Sequence, residues 1–205
     1  MKISVLPAMV GAVLVLTVPA ISASLAATEQ PSGAPTYTPD GKLQFPADYR
    51  EWVFLTSSLD MNYSTGPGMD HSMFDNVFVP EGAYHSFLQT GKWPEGTILL
   101  KENRVASSKG SINKSGQFQV TSTMGLEVHV KDSRRFSGPG WGFFIFPDAH
   151  SEPAVVIPFS ASCYSCHKDH GAVDTTFVQF YPTLIDIARA KGTFKESVNS
   201  PSPSK

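Results

Sequence analysis

Cysteine is scarce: Cys163 and Cys166 are the only two in 205 residues. That excludes a disulfide-dense scaffold, and it counts against a structural zinc site, which usually takes four Cys or His ligands, because there is no second CxxC. No block of like charge occurs. The chain has 16 basic against 18 acidic side chains and a net charge of -2, so neither a nucleic-acid track nor a polybasic membrane surface is expected. There is no internal repeat, and beyond the N-terminus no apolar run is long enough to span a bilayer.

The N-terminus is the exception. Lys2 is its only charge, an apolar stretch runs from Ile3 to Ile21, and small residues follow from Ser22 to Ala27. This is the pattern of a secretory signal cut near Ala26 or Ala27, which predicts export to the periplasm with no membrane attachment after cleavage. A retained anchor is the alternative, and Pro7 and Pro19 count against it. No cysteine near the cut would take a lipid. Residues 1–26 thus read as signal, 27–40 as a flexible Pro/Gly-rich leader, 41–196 as one domain and 197–205 as a Ser/Pro tail.

The two cysteines stand three apart and histidine follows at once: Cys163-Tyr-Ser-Cys166-His167. This is the attachment signature of one c-type haem, with two thioethers from the cysteines and His167 as an axial iron ligand. A thioredoxin-like pair needs no such histidine, and a plain disulfide would close a tiny, strained loop. The motif lies late in the chain and no methionine follows it. That order excludes the small helical electron-transfer cytochrome, which places the motif early and draws a Met ligand from downstream. The sixth iron position is therefore open, held by water, or taken from upstream, and an open position favours small-ligand binding or redox chemistry.

The upstream candidates have plain alternatives. Met61, Met69, Met73 and Met124 read as core or loop residues, His71 as a loop residue, and His85 and His129 as members of polar faces. His170 is too near His167 to reach the other side of the same haem.

Between the tails the periodicity is mainly that of strands: Trp52–Thr56, Asn76–Val79, Thr97–Leu100, Gln117–Thr123, Leu126–Lys131 and Gly140–Phe146. Leu126, Val128 and Val130 share one face, and Met124-Gly125 reads as a turn. Helices are expected over Pro80–Thr90, Pro182–Lys191, briefly over Ala47–Glu51, and around the cysteine motif. The fold class is α+β, a meandering antiparallel sheet with flanking helices enclosing the haem.

With these elements in order, the chain resembles the cytochrome P-460 family. The matching stretches are Tyr49-Arg-Glu-Trp-Val53, Thr90-Gly-Lys-Trp-Pro-Glu-Gly-Thr97, Lys101-Glu102, Gly125-Leu-Glu-Val128, Lys131-Asp-Ser-Arg-Arg-Phe136, the haem motif and Tyr181-Pro182. The resemblance implies a periplasmic, dimeric, β-rich mono-haem protein. It implies oxidation of hydroxylamine to nitrous oxide or nitrite, with electrons passed to a soluble cytochrome c. It also implies a bond between Lys101 and the porphyrin. On its own chemistry Lys101 ends an apolar run, where an ammonium is costly to bury; the bland alternative is a strand emerging into solvent beside Glu102. Some family members carry a glutamate two residues before the first haem cysteine; here that position is Ala161, which supplies no base. The other reading is a protein binding nitric oxide or another small gas, similar to the cytochrome c′-beta proteins of the same fold. Lys101 favours the enzyme; Ala161 and the abundant phenylalanines favour the gas binder.

Overall fold

The computed structural model describes residues 33–62, 71–147 and 152–198. The expected signal, with the first part of the leader, and most of the C-terminal tail lie outside the described residues. Among the described residues five strands form one antiparallel sheet in chain order: β1 (Val53–Leu59), β2 (Met73–Val79), β3 (Ile98–Ser107), β4 (Phe118–Lys131) and β5 (Trp141–Phe146). Three α-helices among the same residues flank it: α1 (Glu81–Thr90), α2 (Ser162–His170) and α3 (Ile185–Ala190). Among the described residues no helix is long and apolar enough to cross a membrane.

Alternation along the strands sends side chains to two faces, and each face has its own core. One side buries Ile98, Leu100, Leu126, Val128, Val130, Phe144 and Phe146 against Leu43, Tyr49 and Trp52. The other buries Leu55, Val79, Leu99, Trp141 and Phe143 against Phe87, Trp93, Tyr164, Val178 and Leu184. Each fully buried side chain of this size contributes roughly 1.5–3 kcal/mol, so the two cores together fix the register of the sheet.

The turn expected at Met124-Gly125 is corrected: it does not end a strand, because β4 is continuous, and the register against β3 shifts where Asn103 faces Gly125 and Arg104 faces Thr123. Gly125 sits at φ 122, and a Cβ there would lie 2.7 Å from the Phe146 carbonyl oxygen, so this bulge admits only glycine. The described part of the leader makes contacts with the domain. Tyr37 bridges to Leu43, and the Arg135 guanidinium lies 3.9 Å from the Tyr37 ring centroid.

The helices follow their local signals. Pro80 caps α1, and Gly91 in the left-handed region closes it with its N–H on the Phe87 carbonyl. The stretch expected as a helix from Pro182 is shorter, with α3 beginning at Ile185, and Ala47–Glu51 contains one 3-10 turn at Tyr49–Glu51.

Candidate haem site

Cross-strand partners share a face, so the pairing of Thr56 with Val77, Val77 with Lys101, and Lys101 with Glu127 draws one row across the sheet. A second row holds Leu99, His129 and Phe143. Of these, Thr56, Val77, Leu99, Lys101, Glu127 and His129 line a cavity of about 670 Å³, within the roughly 300–1,000 Å³ of cofactor clefts. The facing wall is α2 and the segment from Thr176 to Ile185.

Cys163, Cys166 and His167 also line this cavity, as their spacing on α2 requires: positions three and four apart share a helix face. The thiols are free rather than joined. Tyr164, between them, is buried on the other side of the helix. Its hydroxyl donates to the Ile157 carbonyl at 3.1 Å and accepts the Phe143 N–H at 3.3 Å, which fastens α2 to β5. Gln179 holds the far end, donating to the His170 carbonyl at 2.8 Å and accepting the Ala172 N–H at 3.1 Å.

His167 has a defined tautomer. Its Nδ1 lies 2.9 Å from the Thr175 carbonyl oxygen. A carbonyl only accepts, so Nδ1 carries the proton and the Nε2 lone pair is left for a metal. Burial pushes the imidazole below its ordinary pKa, against the opposing pull of the Thr175 carbonyl, so the metal-binding neutral form prevails. Phe177 packs on the ring with centroids 4.2 Å apart, and Phe143 at 4.9 Å. Two free thiols and an imidazole with one nitrogen committed, all lining one cavity, fit a c-type haem.

Lys101 reaches the same space from β3. The strand does not emerge into solvent there: it runs on to Ser107, and Glu102 is fully buried on the opposite face. The Lys101 ammonium lies 2.9 Å from Glu127 Oε1 and 3.9 Å from Asp75 Oδ1. Asp75 is buried, accepts from the Ser58 hydroxyl at 3.3 Å through Oδ2, and has no hydrogen-bond partner at Oδ1 among the described residues. Burial raises its pKa, and the nearby Lys101 opposes that shift. Neither Asp75 nor Glu127 is legible as a site residue from sequence. The available signal was the alternation in β4, where Glu127 and His129 oppose Leu126, Val128 and Val130. That polar face meets the cavity rather than bulk water.

Ala161 is not among the lining residues. It caps α2 and packs against the core beside that helix. The carboxylates of the cavity come from β2 and β4.

Of the candidate sixth ligands, Met61 lines the cavity and His71 and Met73 do not. His85 is exposed on α1, 3.4 Å from Glu81, and His170 is exposed at the end of α2. Met69 and the side chain of Met124 lie outside the described residues. His129 does line the cavity, but its ring centroid is 4.5 Å from that of His167. Two imidazoles trans across one metal, with bonds of about 2 Å, need centroids more than about 6 Å apart, so His129 is a neighbour of the ligand. Its pKa lies well below the ordinary value, through burial first and then the proximity of His167 and Lys101.

A comparison of the chain with curated proteins finds no match. A comparison with models of known families matches residues 46–178 to cytochrome P-460, a span that holds β1 to β5, Lys101 and the whole Cys-x-x-Cys-His helix. The chain belongs to the cytochrome P-460 family, and the cofactor that this membership implies is a c-type haem.

Proposed function

We propose that this protein is a periplasmic haem c oxidoreductase that oxidises hydroxylamine to nitrous oxide or nitrite and passes the electrons to a soluble cytochrome c. Cys163 and Cys166 would form the two thioethers, and His167 would ligate iron through Nε2. The haem, when bound, would supply the redox chemistry. Lys101 would join the porphyrin, as the family resemblance implies. The protein would act as a homodimer.

The observation that carries this reading is the Glu127 carboxylate, 2.9 Å from Lys101 in the cavity that the haem-binding residues line. Hydroxylamine oxidation releases protons as well as electrons, so a positioned base should accelerate it. The Glu127 side chain is 41% exposed, so a proton it takes can pass on to water. Ala161 therefore does not leave the site without a base.

The gas-binding reading has one observation in its favour, the apolar wall formed by Val77, Leu99, Phe177 and Phe180. Phe177, however, packs on His167 itself and so belongs with the axial ligand. Steady-state oxidation of hydroxylamine by the holoprotein with an artificial electron acceptor separates the two. Catalytic turnover supports the oxidoreductase, whereas tight nitric-oxide binding without turnover would leave the gas binder standing.

A further inference from the structure

Two consecutive residues in the loop after α2 lie in the left-handed region without being glycine: Asp174 at φ 47 and Thr175 at φ 62. For β-branched Thr175 this is a costly conformation. Its Oγ1 is also buried, with no hydrogen-bond partner among the described residues. Thr175 thus carries two penalties, and its carbonyl is the group that meets His167 Nδ1. Such a conformation persists only where its surroundings over-determine it.

They do. Lys131, 16% exposed at the end of β4, donates to Asp174 Oδ2 and, at 2.9 Å, to the Trp93 carbonyl. The Trp93 indole N–H donates at 2.9 Å to Thr176 Oγ1, which donates at 2.6 Å to the Val173 carbonyl. Val173 and Thr176 close the loop with two backbone hydrogen bonds, 2.7 and 3.3 Å long. The clamp therefore grips both sides of the strained pair.

We propose that Lys131 and Asp174 are positioning residues for the axial ligand: their ion pair locks loop 173–176 so that the Thr175 carbonyl stays on His167 Nδ1, which sets the strength of the iron–histidine bond. A carbonyl held on Nδ1–H raises the donor strength of Nε2 and favours ferric over ferrous iron. An ion pair between partly exposed groups adds little stability by itself, so its value here lies in geometry. The inference rests on His167 as iron ligand and is independent of what the enzyme oxidises.

The test is made on the haem-loaded protein with Lys131→Met, Asp174→Asn, Asp174→Gly and Lys131→Arg. The readouts are the ferrous iron–histidine stretch by resonance Raman and the reduction potential. Met, Asn and Gly should lower the stretching frequency and shift the ferrous-to-ferric ratio at fixed potential about tenfold towards ferrous, ~59 mV for a one-electron couple. Arg should restore both. Asp174→Gly removes the carboxylate while relieving its own φ, so it reads out even where the other variants fold poorly. Folded, haem-loaded variants with wild-type stretch and potential would overturn the lock. So would loss of folded protein in all three disruptive variants, which would make the pair a plain stability element. A wild type with no iron–histidine band would sink His167 ligation instead, a separate failure.

Discussion

Lys101 and Glu127 face each other across adjacent strands, with Nζ and Oε1 2.9 Å apart, on the sheet face that looks onto Cys163, Cys166 and His167. Replacing Glu127 by Gln keeps the size and removes the base. We expect turnover of hydroxylamine to fall by roughly 10²–10⁴-fold with haem content unchanged. Ala161→Glu should give no comparable gain, because position 161 caps α2 outside the cavity lining. Steady-state kinetics on both variants decides the point, and an unaltered rate in Glu127→Gln would remove the carboxylate from the mechanism.

A bond from Lys101 to the porphyrin would convert its ammonium into a neutral amine and strip Asp75 and Glu127 of their shared cation. Proteolysis and mass spectrometry of the holoprotein should recover the Lys101 peptide joined to the peptide that carries Cys163 and Cys166. Lys101→Arg keeps the positive charge but should release two separate peptides. Recovery of a free Lys101 peptide from wild type would count against the cross-link.

Gly171 is needed for close approach rather than for an unusual φ. A Cβ there would lie 2.6 Å from both the His167 carbonyl oxygen and the Thr175 carbonyl carbon. Both are backbone atoms and neither can swing aside. Gly171→Ala should cost about 1–3 kcal/mol, measured by denaturant unfolding of the loaded protein, and should perturb the haem absorption spectrum as Thr175 is pushed from His167. An unchanged spectrum would show that the loop tolerates the displacement.

The opposite face makes a pH prediction. Glu102 accepts hydrogen bonds from Tyr49 at 2.7 Å, Arg50 at 2.5 Å and Arg104 at 2.8 Å. Burial alone would raise its pKa, but the hydrogen bonds from Arg104 and Tyr49 outweigh burial and hold the carboxyl below the ordinary glutamate value. A carboxyl depressed on folding stabilises above its unfolded pKa, and that contribution is lost as pH falls through the folded value. Glu102→Gln should cost ~3 kcal/mol at neutral pH by leaving two guanidinium groups short of their anion. It should also lose less stability than wild type on acidification from about pH 6 to about pH 3. Parallel acid profiles for the two proteins would contradict this assignment.

Much of this was legible from residues alone because the signals are local. The motif at Cys163 carries its chemistry in five consecutive positions, and the alternation through Leu126, Val128 and Val130 named the packed face of β4. Other features depended on three dimensions. Gly125 looks like a turn in one dimension; only the neighbouring β5 backbone shows that the strand passes through it. Asp75 and Glu127 are 52 positions apart in the chain, which the sheet brings to one ammonium. Thr175 acts through a backbone carbonyl, a group that every residue possesses, so no residue type marks it.

The adjacency of Lys101 and Glu102 turns β3 into a partition one backbone thick. Reactive groups stand on one side and a structural charge network on the other, with no spacer between them. A single-residue insertion or deletion between Ile98 and Lys101 would trade the two sides, sending the ammonium among the arginines and the carboxylate into the haem cavity. The hairpin tip between Ser107 and Phe118 is under no such constraint and should accept changes in length, which makes it the place to attach a probe without disturbing either chamber.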